Sequence, residues 1–321
     1  MVTLLKKLSW IAAGLAIVQA TATAQPTTRL IVPYGAGGST DTAARVIADK
    51  LSSIWQTPVV VENKPGAAGT VASRYLTTMP PDGKTLLLVT SAHAINALLY
   101  SNLPYDTLTG FTPIAQVTTV PNVLLTGNDS GYKTLADVLS AGRKNPDLLS
   151  YGTAGAGSSV HLAGELLSSM TGVKMVPVHF KGDSESIAAV VGGHIPLSFN
   201  TVSGALAQID AGKVRALAVT GAERVPTLKD TPTMAEAGVS GYAVNNWGGI
   251  LGPAGMDKAL VNKINADIRT ALADPEVAEK LKASSMYPVM GTPAEFDQRI
   301  RSDIDMWRPI ITKLGLGDGT K

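Results

Sequence analysis

The chain has 321 residues with 27 Lys and Arg against 25 Asp and Glu, and this near balance excludes the basic footprint that nucleic-acid binding requires. It contains no cysteine, which excludes a disulfide framework, a thiolate metal site, a cysteine nucleophile and a lipid anchor built on cysteine. With 45% hydrophobic and 16% charged residues, a chain of this length is expected to form about two domains around large packed cores.

Lys6 and Lys7 precede an apolar run from Leu8 to Ala20, and Ala22-Thr23-Ala24 supplies a small-residue cleavage site. This three-part pattern predicts a secretory signal peptide over residues 1–24, cleaved near Ala24. The run is shorter than the roughly 20 residues of a spanning helix. A periplasmic, soluble mature protein is expected, without net charge once the two lysines are removed from the formal +2.

Leu30-Ile31-Val32 reads as a buried strand, Pro33 to Ser39 as a glycine-rich turn, and Ala44, Ile47, Ala48, Leu51 and Trp55 as one helix face. Ser39 or Thr40 is expected to cap that helix, with Asp41 in its first turn. Val59 to Val61 and Leu86 to Val89 read as the next strands, and the run from Ile114 to Leu125 as the passage out of this layer. A second series follows: a helix from Thr134, a strand near Ser150, a helix from Ser159 to Met170 closed by Gly172, and strands at Met175–Val178, Ile195–Phe199 and Val214–Val219. The helices Lys258 to Leu272 and Pro293 to Leu314 are expected to pack back on the first layer. The pattern predicts an α/β fold of two lobes joined by crossing strands, with a ligand cleft between the lobes. Domain 1 is expected over 25–122 and 223–321, and domain 2 over 123–222.

Gly35-Ala36-Gly37-Gly38-Ser39-Thr40 starts like a dinucleotide fingerprint but has Thr40 where the third glycine belongs, and Gly155-Ala156-Gly157-Ser158-Ser159-Val160 fails likewise at Val160. Neither ends as a P-loop does. Ser158 and His161 lie three apart without a nucleophile elbow, and His93, His161, His179 and His194 show no zinc spacing. No cofactor and no metal are expected. Each loop does put small residues immediately before a helix, where free N–H groups and the positive helix end suit a carboxylate. Two tight βα turns with no ligand at all remain the plain alternative.

The segment Ile31 to Arg45 resembles the start of the Bug (Bordetella uptake gene) family, the solute receptors of tripartite tricarboxylate transporters. The likeness continues through Val61 to Gly69, Pro81-Asp82-Gly83, His93-Ala94-Ile95-Asn96, Tyr151 to Ser158, Lys181-Gly182, Gly192-Gly193-His194, Val214 to Val219 and Pro232 to Gly238. The resemblance implies a two-lobed periplasmic binding protein of the type II kind, a receptor and not an enzyme, that closes around a small carboxylate and delivers it to large and small membrane subunits. A monomer is expected, with no nucleic-acid partner. It implies a first grip at Tyr34, Gly37, Gly38, Ser39 and Asp41, and a second at Thr153, Ala156, Gly157, Ser158 and His161. Ser91 and His93 are implied on a third cleft loop, with Lys181 and Asn200 as further cleft residues and Trp247 as a wall or core residue. The sequence departs from the family at Ala36, where proline is frequent, at Pro196 and Asn200, where aspartates are, and at His179-Phe180, where tyrosine is common. An Asn at 200 cannot pair ionically with an ammonium, which favours plain mono- or dicarboxylates, aromatic ones included. Two alternatives stay open: a ligand-sensing receptor for a signalling partner, and a periplasmic hydrolase using Ser158 and His161.

Overall fold

The computed structural model describes residues 27–145 and 149–317; the expected signal peptide, cleaved near Ala24, lies outside them. The first lobe opens with β1 (Thr28–Val32), whose Leu30, Ile31 and Val32 are buried, as a strand covered on both faces demands. It leads into α1 (Ser39–Trp55), β2 (Val59–Asn63), a 3-10 turn at Ala67–Gly69, α2 (Thr70–Thr77) and β3 (Thr85–Thr90). β1 lies between β2 and β3 and parallel to both.

α3 (Ala92–Leu99) follows β3 at once. Ser91 is therefore a helix N-cap and His93 a first-turn residue rather than members of a loop. The reason is compositional, since three alanines and two leucines in eight residues favour helix strongly.

β4 (Phe111–Gly127) then carries the chain into the second lobe, built from α4 (Leu135–Lys144), β5 (Ser150–Thr153), α5 (Ser159–Thr171), β6 (Val176–His179), α6 (Asp183–Val191), β7 (Leu197–Thr201), α7 (Val202–Asp210) and β8 (Val214–Val219). Gly172 closes α5 in the left-handed conformation, φ 68°. The chain returns through β9 (Asn245–Pro253), α8 (Lys258–Ala273), α9 (Pro275–Ala283), β10 (Tyr287–Pro288) and α10 (Pro293–Leu314).

The strand order is β2-β1-β3-β9-β4-β7-β5-β6, with β10 and β8 also paired to β4. Pairing is parallel within the βα units and antiparallel wherever β4 takes part. Up to Pro121, β4 pairs with β9; from Asn122 it pairs with β7 and β8.

Two segments lie elsewhere than the sequence suggests. Residues 223–244, expected with the first lobe, pack on the second: Met234, Val239, Tyr242 and Val244 share a core with Leu124, Tyr151 and Phe199. The N–H groups of Met234 and Val244 donate to the carbonyls of Val219 and Thr220, and Tyr242 OH donates to Ala163 O at 2.8 Å. The helix α10 covers both lobes. Its Phe296, Ile300 and Ile304 belong to a first-lobe cluster with Ile31 and Leu87, whereas Trp307, Ile310 and Ile311 belong to the second-lobe core. Each such side chain contributes about 1.5–3 kcal/mol on burial, so α10 is anchored on both sides.

The contact between β9 and α10 leaves no spare room. A Cβ added at Gly249 would lie 2.1 Å from the Phe296 ring. Gly249→Ala should cost about 1–3 kcal/mol by overpacking, and Phe296→Leu in the same chain should cost less than the two single changes summed. Urea unfolding of the three variants measures both.

Candidate functional site

A cleft of about 820 Å³ lies between the lobes, a size common for small-molecule sites. Its first-lobe wall comes from the ends of β1 and β3 (Tyr34, Gly38, Thr40, Thr90, Ser91) and from the crossing strands (Thr118, Val120, Asn246, Trp247). The second-lobe wall comes from the ends of β5, β6 and β7: Gly157 and Ser158, then Lys181, Gly182 and Asp183, then Thr201 and Ser203. Five helices, α1, α3, α5, α6 and α7, start at this cleft, so their positive ends converge on it.

Capping differs among the helices: α2, whose N-cap Gly69 lies outside the cleft lining, and three of the five at the cleft have no side-chain cap bond. α4, α8, α9 and α10 start away from the cleft and are capped by the side chains of Thr134, Asp257, Asp274 and Thr292. α1, α3 and α6 have no side-chain cap bond at their N-cap residues Gly38, Ser91 and Gly182. α5 and α7 are capped by Ser158 and Thr201.

Gly38 and Gly182 also lack a reason to be glycine within the fold. Gly38 has φ −77°, and a Cβ there would meet nothing closer than 3.9 Å; Gly182 is extended with open space around it. Gly38 thus lies in the expected glycine-rich turn without using glycine's backbone freedom. Gly37 (φ 85°), Gly155 (φ 121°) and Gly157 (φ 73°) do occupy the region other residues avoid.

The first loop is latched from inside. Asp41 is buried; its Oδ2 accepts from the Gly37 N–H and from Arg45 Nε, each at 2.9 Å, and its Oδ1 accepts from Asn63 Nδ2 at 2.9 Å. Arg45, helped by the Gly37 N–H and Asn63, holds the Asp41 carboxyl down to about 2. Asp41 therefore faces its own loop and uses up one amide, that of Gly37, which the sequence counts among the free donors. Ser39 is the first residue of α1.

The second loop has the same latch in other chemistry. The Gly157 N–H donates to His161 Nδ1 at 3.0 Å, which leaves the ring proton on Nε2, 3.8 Å from Glu165 Oε1. Burial, with the His179 imidazole alongside, pushes His161 down to about 4, so it is neutral. Ser158 Oγ donates to Gly155 O at 2.7 Å and accepts from the His161 N–H at 3.3 Å. The imidazole is committed to Gly157, and no Ser158–imidazole hydrogen bond of the kind a nucleophile needs is formed. Among the described residues, no group of three or more His, Asp or Glu could hold a metal ion.

Of the residues singled out in the sequence, Tyr34, Gly38, Ser91, Gly157, Ser158 and Lys181 line the cleft. Gly37, Asp41, Thr153, Ala156 and His161 lie in or behind the two loops and do not line it. His93 is buried against Tyr105 and Phe111, with Nε2 3.4 Å from Thr107 O, and burial pushes it down to about 4. Asn200 is buried, its Oδ1 accepting from Ser198 Oγ at 2.6 Å and its Nδ2 donating to Asp183 Oδ1 at 3.2 Å.

Sequence reasoning misses Thr90, Thr118, Asn246, Asp183, Thr201 and Ser203. Thr90 Oγ1 pairs with Tyr34 OH at 2.8 Å, and Ser91 Oγ donates to Asn246 Oδ1 at 2.7 Å. The Thr201-Val202-Ser203 run after a strand is a cap signal that could have flagged its end. Trp247 is both wall and core: it lines the cleft while its Nε1 donates to buried Asp303 Oδ2 at 2.6 Å.

Residues 43–316 match the model of the tripartite tricarboxylate transporter family receptor. A UPF0065 protein encoded in the gbd 5′ region of Cupriavidus necator is 33% identical over 315 residues, 95% of this chain and 94% of its own. An adipate-bound protein of R. palustris superposes with a TM-score of 0.77 at 33% identity, covering 91% of this chain and 98% of its own. MatC from Rhodopseudomonas palustris, with bound malate, gives 0.72 at 30% identity, covering 89% and 98%.

The two buried imidazoles set a pH dependence. Both His93 and His161 titrate near 4 in the folded chain against an ordinary 6.5, so the unfolded chain takes up protons that the folded chain refuses. Their stabilisation is complete above about 6.5 and is lost as pH falls towards 4, by about 1.4 kcal/mol per pH unit for each group. Urea unfolding at pH 7, 6 and 5 should show this fall, and His161→Gln should reduce the slope by about one proton.

Proposed function

This chain belongs to the tripartite tricarboxylate transporter receptor family, and from that premise we propose that it captures a small carboxylate in the periplasm for a tripartite transporter. The carrying observation is the set of helix N-termini that meet in the cleft from both lobes, three of them without side-chain caps. Unpaired N–H groups at a positive helix end favour an anion, and planar carboxylate oxygens suit such donors. Gly38 fits this role, since the fold does not need glycine there and a side chain would stand between ligand and backbone.

Lobe closure over the bound carboxylate would be the signal read by the large and small membrane subunits, provided that affinity differs between the open and closed arrangements. The adipate and malate found in two relatives give the scale of ligand expected. The chain acts by binding and release, without turnover.

A thermal-shift screen against mono-, di- and tricarboxylates tests the reading, because a ligand at about 100 times its dissociation constant adds about 2.7 kcal/mol. No shift with any carboxylate would sink it. Gly38→Val and Thr40→Glu should each weaken the best ligand by at least about tenfold, or 1.4 kcal/mol, with circular dichroism unchanged. The first blocks close approach, and the second sets an anion against the same donors. Export is tested separately: mass spectrometry of periplasmic protein should find an N-terminus within a residue or two of Gln25, and retention of Met1 would contradict it.

A further inference from the structure

We propose that the cleft selects carboxylates with an apolar body, aryl or unsubstituted alkyl, over hydroxylated or tricarboxylic ones; this rests on the carboxylate reading above and specifies its ligand. Five cleft-lining side chains, Tyr34, Ala43, Leu88, Val120 and Met286, also belong to one continuous hydrophobic cluster. They form a patch beside the N-terminus of α1, with Tyr34 in the preceding loop and Ala43 on the helix itself. A carboxylate held at Gly38 and Thr40 would lay its carbon skeleton on this patch.

The patch has little polar to offer. Tyr34 OH is already paired with Thr90 Oγ1 at 2.8 Å, so the phenol can present its ring. Leu88 and Met286 are backed by the core at 1% and 3% exposure. Met286 follows Ser285, a buried non-glycine residue held at φ 51°; strain of this kind persists only where the surroundings enforce it, often at a site that binds. A ligand hydroxyl set against these side chains would lose its water without gaining a partner, a factor of about ten in affinity.

Charge points the same way. Lys181 and Asp183 are the only charged residues among the described ones lining the cleft, and they cancel. The Asp183 carboxylate is anchored by the Thr201 N–H and Asn200 Nδ2, each at 3.2 Å. A tricarboxylate would thus bring two or three anions to a cleft whose side chains carry no surplus positive charge, leaving the helix N-termini alone to meet them.

Titration calorimetry of the purified protein with benzoate, hexanoate, malate and citrate provides the test. Benzoate or hexanoate should bind at least about tenfold more tightly than malate and citrate. Val120→Thr keeps the shape of a half-buried side chain but puts a hydroxyl on the patch. It should weaken the apolar ligands by about fourfold, the equivalent of one buried methyl group, and narrow the gap to malate. Met286→Gln should act in the same direction, with melting curves confirming that both variants fold. Tighter binding of malate or citrate, or unchanged affinities in both variants, would overturn the inference while leaving the carboxylate reading intact. If none of the four binds and no other carboxylate shifts the melting temperature, both fall together.

Discussion

The double pairing of β4 fixes where everything else can go. Its 17 residues hydrogen-bond first to β9 and then to β7 and β8, so one strand belongs to the sheets of both lobes. β4 runs from the first lobe towards the second. β3 is antiparallel to β9, which is antiparallel to β4, so β1, β2 and β3 also point at the seam. β7 is antiparallel to β4, and β5 and β6 run with β7, so the second-lobe strands point back at the same seam. The carboxyl ends of both sets of strands therefore face each other, and the helices that follow them must begin there. A cleft ringed by helix N-termini follows from the pairing of this one strand, before any side chain is considered.

What the side chains add is restraint on the loops that carry those N-termini. Gly37 donates to Asp41 and Gly157 donates to His161, in each case to the side chain four residues on. One acceptor is a carboxylate stabilised by Arg45, and the other is an imidazole kept neutral by burial. The two lobes thus hold equivalent loops by the same geometry with unrelated chemistry. Both latches spend polar groups on preorganisation rather than on the cleft surface, which is the arrangement expected of a site that must be shaped before its ligand arrives.

The βα units were legible in the sequence because a buried parallel strand is a plain apolar run and its helix shows a 3.6-residue period, as in Leu30 to Trp55. The glycine loops were legible for a related reason, since Gly37, Gly155 and Gly157 occupy backbone conformations that demand glycine. Polar type alone did not reveal direction. Asp41, His93, His161 and Asn200 are the residues that chemistry would place on a site, yet each turns into the protein to satisfy a neighbour. Thr90, Asn246 and Met286 carried no signal, because they reach the cleft from strands and turns distant in sequence. The placement of residues 223–244 was hidden as well: Met234, Val239, Tyr242 and Val244 show neither strand nor helix period, and only the second-lobe core explains them.

The cleft wall is tied to the elements that join the lobes. Asn246 lies where β9 re-enters the first lobe, accepts from Ser91 and donates to Asn122 Oδ1 of β4 at 3.4 Å. Its neighbour Trp247 reaches Asp303 on α10, and Asp303 is paired with Arg299 at 2.9 Å on the same helix. β4, β9 and α10 all touch both lobes, so a change in the angle between the lobes has to be absorbed along these three elements. Two of them contribute side chains to the wall, and the third holds one of those side chains in place. Under the proposed function, a ligand in contact with Asn246 and Trp247 would act on the parts that set the inter-lobe angle. On the carboxylate capture proposed above, a ligand would favour the angle that gives it the better contacts with these residues, which would then both bind it and register that it is bound.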